Sequence, residues 1–470
     1  MSKLVKKIIV WKLEILAKLY LWRFKPIIIA VTGNVGKTST KEAIAVVLAS
    51  PSRASRSRDC LSIEKLSPLS FRLNAPSISA RGRSTSASGR VRSGKGNLNN
   101  EFGVPLAIIG GFDEEYYEKG SSPWFWFKVV VVGCWLLVVG RNYSEILILE
   151  YGADKPGDIK RLVKKFKPHI GVVTAVGEIP VHVEFFSGSE AVAREKSKLV
   201  EGLAPTDYAI LNADDDVVLD MQEKTKAKVL TFGFGEGAGV KISNFVFKTE
   251  GHMPIGVSFK LHHGLNSFVP VEINGSLGKS QAYAAAAAAA VGVALGLNLV
   301  EISDALSYYD GPKGRLKILA GIKNSWIIDD TYNASPASTH LALDVLRALP
   351  AKRKIAVLGD MLELGKYAVQ AHQMIGDLTD GFVDVLICVG ARAKFIADSA
   401  GNQMLKENIF TFDTADMAKK KVQELIREGD LILIKGSQGM RMERIVEEIM
   451  AEPLRKNELL VRQSKKWISK

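Results

Sequence analysis

The chain is poor in the residues that staple small folds or build metal centres. Its three cysteines, Cys60, Cys134 and Cys388, stand far apart in 470 residues. That excludes a disulfide framework and a cysteine-based zinc centre, and it points to a reducing, cytoplasmic setting. The seven histidines are scattered and suggest no metal cluster. Long apolar runs are scarce as well. Only Trp124–Gly140 approaches a membrane span, and its 17 residues, interrupted by Lys128, fall short of the roughly 20 that a span requires. A buried crossover helix is expected there. Lysines interrupt every apolar run of residues 1–26 and no small-residue cleavage site follows, so a signal peptide is not expected.

Charge is present in excess, but its location matters more than its total. Of the net +13, residues 1–26 carry +6 and residues 51–96 carry +8, which leaves the rest near neutrality. The basicity therefore belongs to appendages, and no nucleic-acid partner is expected for the body. Residues 1–26 mix Lys with Ile, Leu and Trp as a basic amphipathic helix would, either lying on an anionic membrane surface as a peripheral contact or packed on its own domain. Residues 51–90, rich in Ser and Arg without hydrophobic period, are expected to be a disordered insertion. Residues 456–470 read as a basic, mobile tail.

The remaining text, in a chain 47% hydrophobic, is mixed α/β. Its centre is IIIAVTGNVGKTS, Ile27 to Ser39: a β-branched run for a buried parallel strand, two glycines, then Lys-Thr-Ser opening a helix over residues 37–48. Backbone N–H groups of such a turn cradle a polyphosphate, a lysine adds a point charge and a hydroxyl reaches Mg2+. Gly33, Asn34, Val35, Gly36, Lys37, Thr38 and Ser39 are thus candidates to bind a polyphosphate, which the resemblance given below narrows to ATP. The loop is shorter than G-x-x-x-x-G-K-[ST], because Val31 stands where the first glycine would be. Ile146–Glu150 is a second buried strand, whose terminal carboxylate would face the ligand crevice and hold Mg2+. Ile170–Thr174 is a third. Asn97, Asn99 and Asn100 form a polar turn before a Gly-Val-Pro break, which is also the commonplace composition of a turn. Residues 229–275 read as antiparallel strands and 282–297 as an alanine-rich helix. GPKGRL, 311–316, reads as a hinge. Strands at 326–329, 354–358, 384–389, 408–412 and 430–434 then alternate with helical patterns, giving a second, doubly wound domain without G-x-G-x-x-G.

Taken together, TGNVGKTSTK (32–41), NLNNEFGVPL (97–106), LEYGADKPGDI (149–159), AREKSKLVEGL (193–203), AILNADD (209–215), IIDDTYNASPAS (327–338), VLGDMLELG (357–365) and LIKGSQGMRMERIV (433–446) resemble the Mur ligase family, and within it the MurF type. The resemblance implies a central P-loop ATPase domain with a mostly parallel sheet (27–312) and a C-terminal Rossmann-like domain (313–455). It implies ATP-dependent addition of D-alanyl-D-alanine to UDP-N-acetylmuramoyl-tripeptide through an acyl phosphate, with ATP and Mg2+, by a monomer. It assigns Lys37, Glu150, His182 and Lys196 to catalysis. Thr38, Ser39, Glu150, His182 and Lys196 become the metal site, with Lys196 as a carbamate. Gln281, Arg315, Asp330, Tyr332 and Asn333 join the nucleotide contacts, and Asn99 and Asn100 face the muramoyl-peptide. The chain departs from the family in three places, one of them the Ser/Arg-rich stretch 51–90 set between the loop helix and the substrate-facing asparagines. Only 26 residues precede the first strand, where MurF-type enzymes carry a domain for UDP, and Gly278-Lys279-Ser280-Gln281 replaces the usual G-R-H-N. Two other readings fit the motifs less fully: a related ligase joining another carboxylate and amine, as folylpolyglutamate and cyanophycin synthetases do, and a non-catalytic nucleotide-binding protein at a membrane or RNA.

Overall fold

The structure, a computed structural model, describes residues 3–49, 91–94, 96, 98–120, 122–140, 143–177, 179, 183–251, 253–264 and 267–468. The expected insertion 51–90, together with Asn97 and His182, lies outside the described residues.

Two sheets organise the chain. The first has nine strands in the order β2-β3-β1-β4-β5-β6-β7-β8-β9. They are β1 Ile27–Thr32, β2 Val91–Ser93, β3 Ile146–Glu150, β4 Ile170–Val173, β5 Tyr208–Asn212, β6 Lys228–Gly233, β7 Val240–Glu250, β8 Met253–His262 and β9 Phe268–Asn274. β1 lies parallel between β3 and β4, with Val31 opposite Glu150. The chain reverses its direction of winding at β1, so the loops leaving β1 and β3 open side by side at the C-terminal ends of the strands, where open sheets hold ligands. Only β7, β8 and β9 pair antiparallel. β6 is parallel to both neighbours, which corrects the expected all-antiparallel block.

Alternation along β1 builds two cores. Ile29 and Val31 face helix α2, Lys37–Ala49, and the alanine-rich helix Lys279–Ala294. The alanines there are buried almost throughout, because their small side chains let the helix sit close on α2 and the sheet. Ile28 and Ala30 face the other way, onto helix α1, Lys3–Phe24, and onto helices Gly103–Ile109, Pro123–Val139 and Asp158–Lys165. Pro123–Val139 is not the buried crossover helix expected: it buries Phe125, Trp126, Val129 and Gly133, half-buries Val132, Leu136 and Leu137 against the core, and leaves Trp124, Phe127, Val131, Trp135, Val138 and Val139 exposed. Among the described residues no helix is long and apolar enough to cross a membrane.

The second sheet runs β10-β11-β15-β12-β13-β14, from β10 Lys317–Ala320, β11 Trp326–Asp330, β12 Arg353–Gly359, β13 Val385–Val389, β14 Ile409–Phe412 and β15 Asp430–Lys435. All pair parallel except the antiparallel edge strand β10. The expected strands lie within a residue or two of these. The tail is the exception. Its Leu460 is buried, and its last helix, Lys465–Ile468, packs on helix Asp113–Lys119 of the first unit. A basic composition suggested mobility, but docking through Arg462 overrides it.

Candidate active site

The turn after β1 is held by its neighbour. The Thr174 hydroxyl reaches the Val35 and Thr32 carbonyls at 2.6 and 3.2 Å, and Asn34 N donates to the Ala175 carbonyl at 2.6 Å. Gly33 has φ +142°, and a Cβ there would stand 2.0 Å from the Thr174 hydroxyl. Glycine is required at this position by conformation and by space together. The first N–H groups of α2 are thereby aimed past the loop, free of helical partners.

Two ammonium groups meet at this turn. Lys37 Nζ and Lys196 Nζ donate to the same Gly33 carbonyl, at 2.8 and 3.0 Å. Lys196 lies on helix Ser189–Glu201 and is 2% exposed. Burial, then the charge of Lys37, lowers its amine to about 7, against the pull of Asp154, Glu150 and Glu195. Lys37 is lowered as well, first by burial and further by Arg315, with Glu150 opposing. Lys37 is thus within electrostatic reach of both Lys196 and Arg315, so cations from both units converge on this loop, which is what a polyanion site requires.

Opposite them stands one buried carboxylate. Glu150 accepts from the Thr38 hydroxyl and the Asn99 amide, each at 3.4 Å. Carboxylate and hydroxyl oxygens at a phosphate loop suit Mg2+, which keeps several waters and takes few protein ligands. The residues present fit that ion, although among the described residues no three His, Cys, Asp or Glu side chains cluster as a self-sufficient metal cage. Ser39 is buried one residue on, and the Tyr309 hydroxyl reaches its carbonyl at 3.2 Å.

Lys41 was missed as an individual residue. It is 2% exposed, donates to the Gly94 and Gly96 carbonyls at 2.7 and 2.9 Å, and lies 3.9 Å from Glu150. It fastens the strand before the asparagine turn to α2 and balances the carboxylate. Lys41→Met should lower the stability of this unit by about 2–3 kcal/mol, because two carbonyls and a carboxylate lose a buried partner. Calorimetric melting checks this.

The asparagines divide. Asn99 turns onto Glu150. The Asn100 side-chain oxygen accepts from the Phe102 and Gly103 N–H groups at 3.1 and 3.0 Å, and Asn100 lines a cleft with Asp154, Lys155, Asp158 and Arg161.

From the second unit, the Arg315 guanidinium covers the Tyr332 ring at 4.1 Å, and its buried Nε has no hydrogen-bond partner among the described residues. Gln281 is buried and bonded at both ends of its amide. Its amide donates to the Arg315 carbonyl at 3.0 Å and its oxygen receives the Tyr309 hydroxyl at 2.9 Å, so it braces the hinge. Asp330 pairs with buried Lys435 at 2.6 Å, and Lys435 also donates to the Asn333 carbonyl at 2.9 Å. Burial works against both charges and their mutual attraction works for them. The Asn333 side-chain oxygen receives the Gln438 N–H at 3.3 Å. Arg462 of the tail donates to the Thr331 carbonyl at 3.0 Å, to Glu443 at 2.9 Å and to the Tyr332 carbonyl. No local motif announces Arg462, whose partners are mainly backbone carbonyls.

Both units match known protein families. Residues 135–292 match the Mur ligase middle domain and residues 314–438 match the Mur ligase, glutamate ligase domain. A Bacillus subtilis protein named UDP-N-acetylmuramoyl-tripeptide–D-alanyl-D-alanine ligase is 27% identical over 445 residues, covering 94% of this chain and 80% of that one. The Rickettsia prowazekii protein of the same name is 26% identical, covering 89% and 77%. Among solved structures, MurF from Acinetobacter baumannii aligns with TM-score 0.67 at 25% identity, covering 92% of this chain and 79% of that one. MurF ligase from Thermotoga maritima in complex with ADP shares the fold with TM-score 0.70 at 24% identity, covering 95% and 84%.

Proposed function

The chain belongs to the Mur ligase family, carrying its middle and glutamate ligase domains, and on that premise we propose that it is an ATP-dependent ligase that joins D-alanyl-D-alanine to UDP-N-acetylmuramoyl-tripeptide in peptidoglycan precursor synthesis. The observation that carries the reading is the meeting of Lys37, Lys196 and Arg315 across from buried Glu150, beside a loop built to hold phosphates.

In this reading the ATP phosphates lie on the N–H groups from Gly33 to Ser39, with Lys37 on their charge. Thr38, Ser39, Glu150, His182 and Lys196 as a carbamate would hold Mg2+, which neutralises phosphate charge when bound. An oxygen of the peptide carboxylate attacks the γ-phosphorus and ADP leaves. The amine of D-alanyl-D-alanine then attacks the acyl carbon, the C–O bond breaks, and phosphate departs. No side-chain nucleophile is needed; positioning and charge neutralisation carry the rate. Tyr332, Asn333 and Asp330, with Arg315, close over the nucleotide by movement at 311–315, which keeps water from the acyl phosphate. Asn99 and Asn100 face the muramoyl-peptide.

The test is ADP release by the purified chain with ATP, Mg2+, the UDP-linked tripeptide and the dipeptide, each omitted in turn. Release should need all of them. Release that persists without the dipeptide, or none with everything present, overturns the assignment.

Arg462 positions this lid. Arg462→Ala should raise the KM for ATP about tenfold, roughly 1.4 kcal/mol, with kcat changed less than threefold, and Arg462→Lys should recover part of the loss. Steady-state kinetics at varied ATP checks the split.

A further inference from the structure

Helix α1 is apolar on two faces. Leu13, Leu16, Ala17 and Tyr20 are buried against the first unit. On the other side Leu4, Ile8, Trp11, Ile15, Leu19 and Trp22 are 41–76% exposed. At about 100° per residue these six fall within roughly 80° of arc, so they form one uncovered stripe. The same arithmetic sets Lys7 and Lys18 along one border and Lys12 and Arg23 along the other, all exposed.

Helix Pro123–Val139 runs beside α1 in the same direction. The Tyr20 hydroxyl donates to the Gly133 carbonyl at 2.8 Å and Arg23 donates to the Val138 carbonyl at 3.2 Å. A Cβ at Gly133 would meet Leu16 at 2.7 Å, so glycine lets the two helices close on each other. This helix also leaves a stripe uncovered: Trp124, Phe127, Val131, Trp135 and Val138 are 49–72% exposed. Its one charge, Lys128, is tied to Glu115 at 2.8 Å. Four of the chain's seven tryptophans stand on these two stripes.

We propose that α1 and helix Pro123–Val139 together form a docking surface that seats the protein on an anionic lipid bilayer. The tryptophans carry the argument, because an indole ring with its N–H favours the headgroup boundary over both water and hydrocarbon. The basic borders of α1 complement anionic headgroups, whose surface potential attracts lysine and arginine lying close to it. Neither helix is long and apolar enough to span, so the surface lies on the bilayer. The acidic partners that could cancel this charge are few: in residues 1–26 the sole acid is Glu14, which is paired with Lys165.

The experiment is co-sedimentation of the full chain with vesicles of phosphatidylcholine alone and of phosphatidylcholine with phosphatidylglycerol, at low and high salt. Binding should appear on the anionic vesicles, weaken at high salt, and shift tryptophan emission to the blue. Trp11→Ser with Trp22→Ser, and separately Trp124→Ser with Trp135→Ser, should each weaken binding about tenfold or more. Lys7→Glu with Lys12→Glu and Lys18→Glu should remove the preference for anionic lipid. All these positions are on the outside, and unchanged melting confirms that the variants fold. No binding to either vesicle by the folded wild-type chain overturns the proposal. So does a self-association, seen by light scattering, that the tryptophan substitutions abolish while vesicle binding is absent, since the stripes would then be an interface between copies.

Discussion

Lys37→Ala should lower the rate of ADP release by about 10³-fold or more, roughly 4 kcal/mol of transition-state stabilisation, without moving the melting temperature. The size follows from what the lysine faces. Its ammonium is crowded by Lys196, Arg315 and the backbone, with only Glu150 and Asp154 opposing. Such a group is held at a cost, and the polyphosphate it serves repays that cost by bringing negative charge. The fold does not depend on it, because among the described residues its one hydrogen bond is to the Gly33 carbonyl of its own loop. Turnover within tenfold of the parent, measured by coupled ADP release, would take this loop out of the phosphate site.

Lys196 supports the second large effect. A carbamate forms when a neutral amine takes up CO2, making an N–C bond and releasing one proton, so an amine near its ordinary value would be almost entirely protected at neutral pH. Burial and Lys37 bring this one to about 7. The neutral fraction therefore rises from roughly a tenth at about pH 6 to nine-tenths at about pH 8. With 13C-bicarbonate, a carbamate resonance should grow over that interval, and it should be missing from Lys196→Met. The same substitution should cost about 10²- to 10³-fold in turnover, because a ligand for the metal and its negative charge are lost. Full turnover by Lys196→Met would contradict the assignment, as would the absence of a resonance at about pH 8.

Much of the architecture was legible because it is written in short apolar strands with sharp ends. Ile27–Thr32 followed by Gly-x-x-Gly-Lys-Thr specifies a strand, a turn and a helix, and the strands of the second sheet announce themselves as β-branched runs between turn residues. Glu150 and Lys196 could be named as site residues, and the structure brings both to the loop at Gly33 and Thr38. His182 lies outside the described residues. What sequence could not give was orientation. Hydropathy marks Pro123–Val139 as apolar but does not say which neighbour covers it, and the structure leaves half of it open. The alternatives for α1, packed on its domain or facing a surface, were posed as rivals, whereas the helix has a face for each. Nothing in the sequence sets Lys41 and Lys435 apart, and only folding shows them buried beside Glu150 and Asp330. Gln281, which the resemblance places among the nucleotide contacts, ties the Tyr309 hydroxyl to the Arg315 backbone, a brace that the motif does not show.

The central claim is that ATP activates a carboxylate as an acyl phosphate before the amide forms. It is tested most directly by labelling the acceptor's terminal carboxylate with 18O, running one turnover with ATP and D-alanyl-D-alanine, and examining the released phosphate by 31P NMR. The account predicts phosphate carrying one 18O from the carboxylate, lost when the C–O bond breaks. Amide formation with unlabelled phosphate would contradict it.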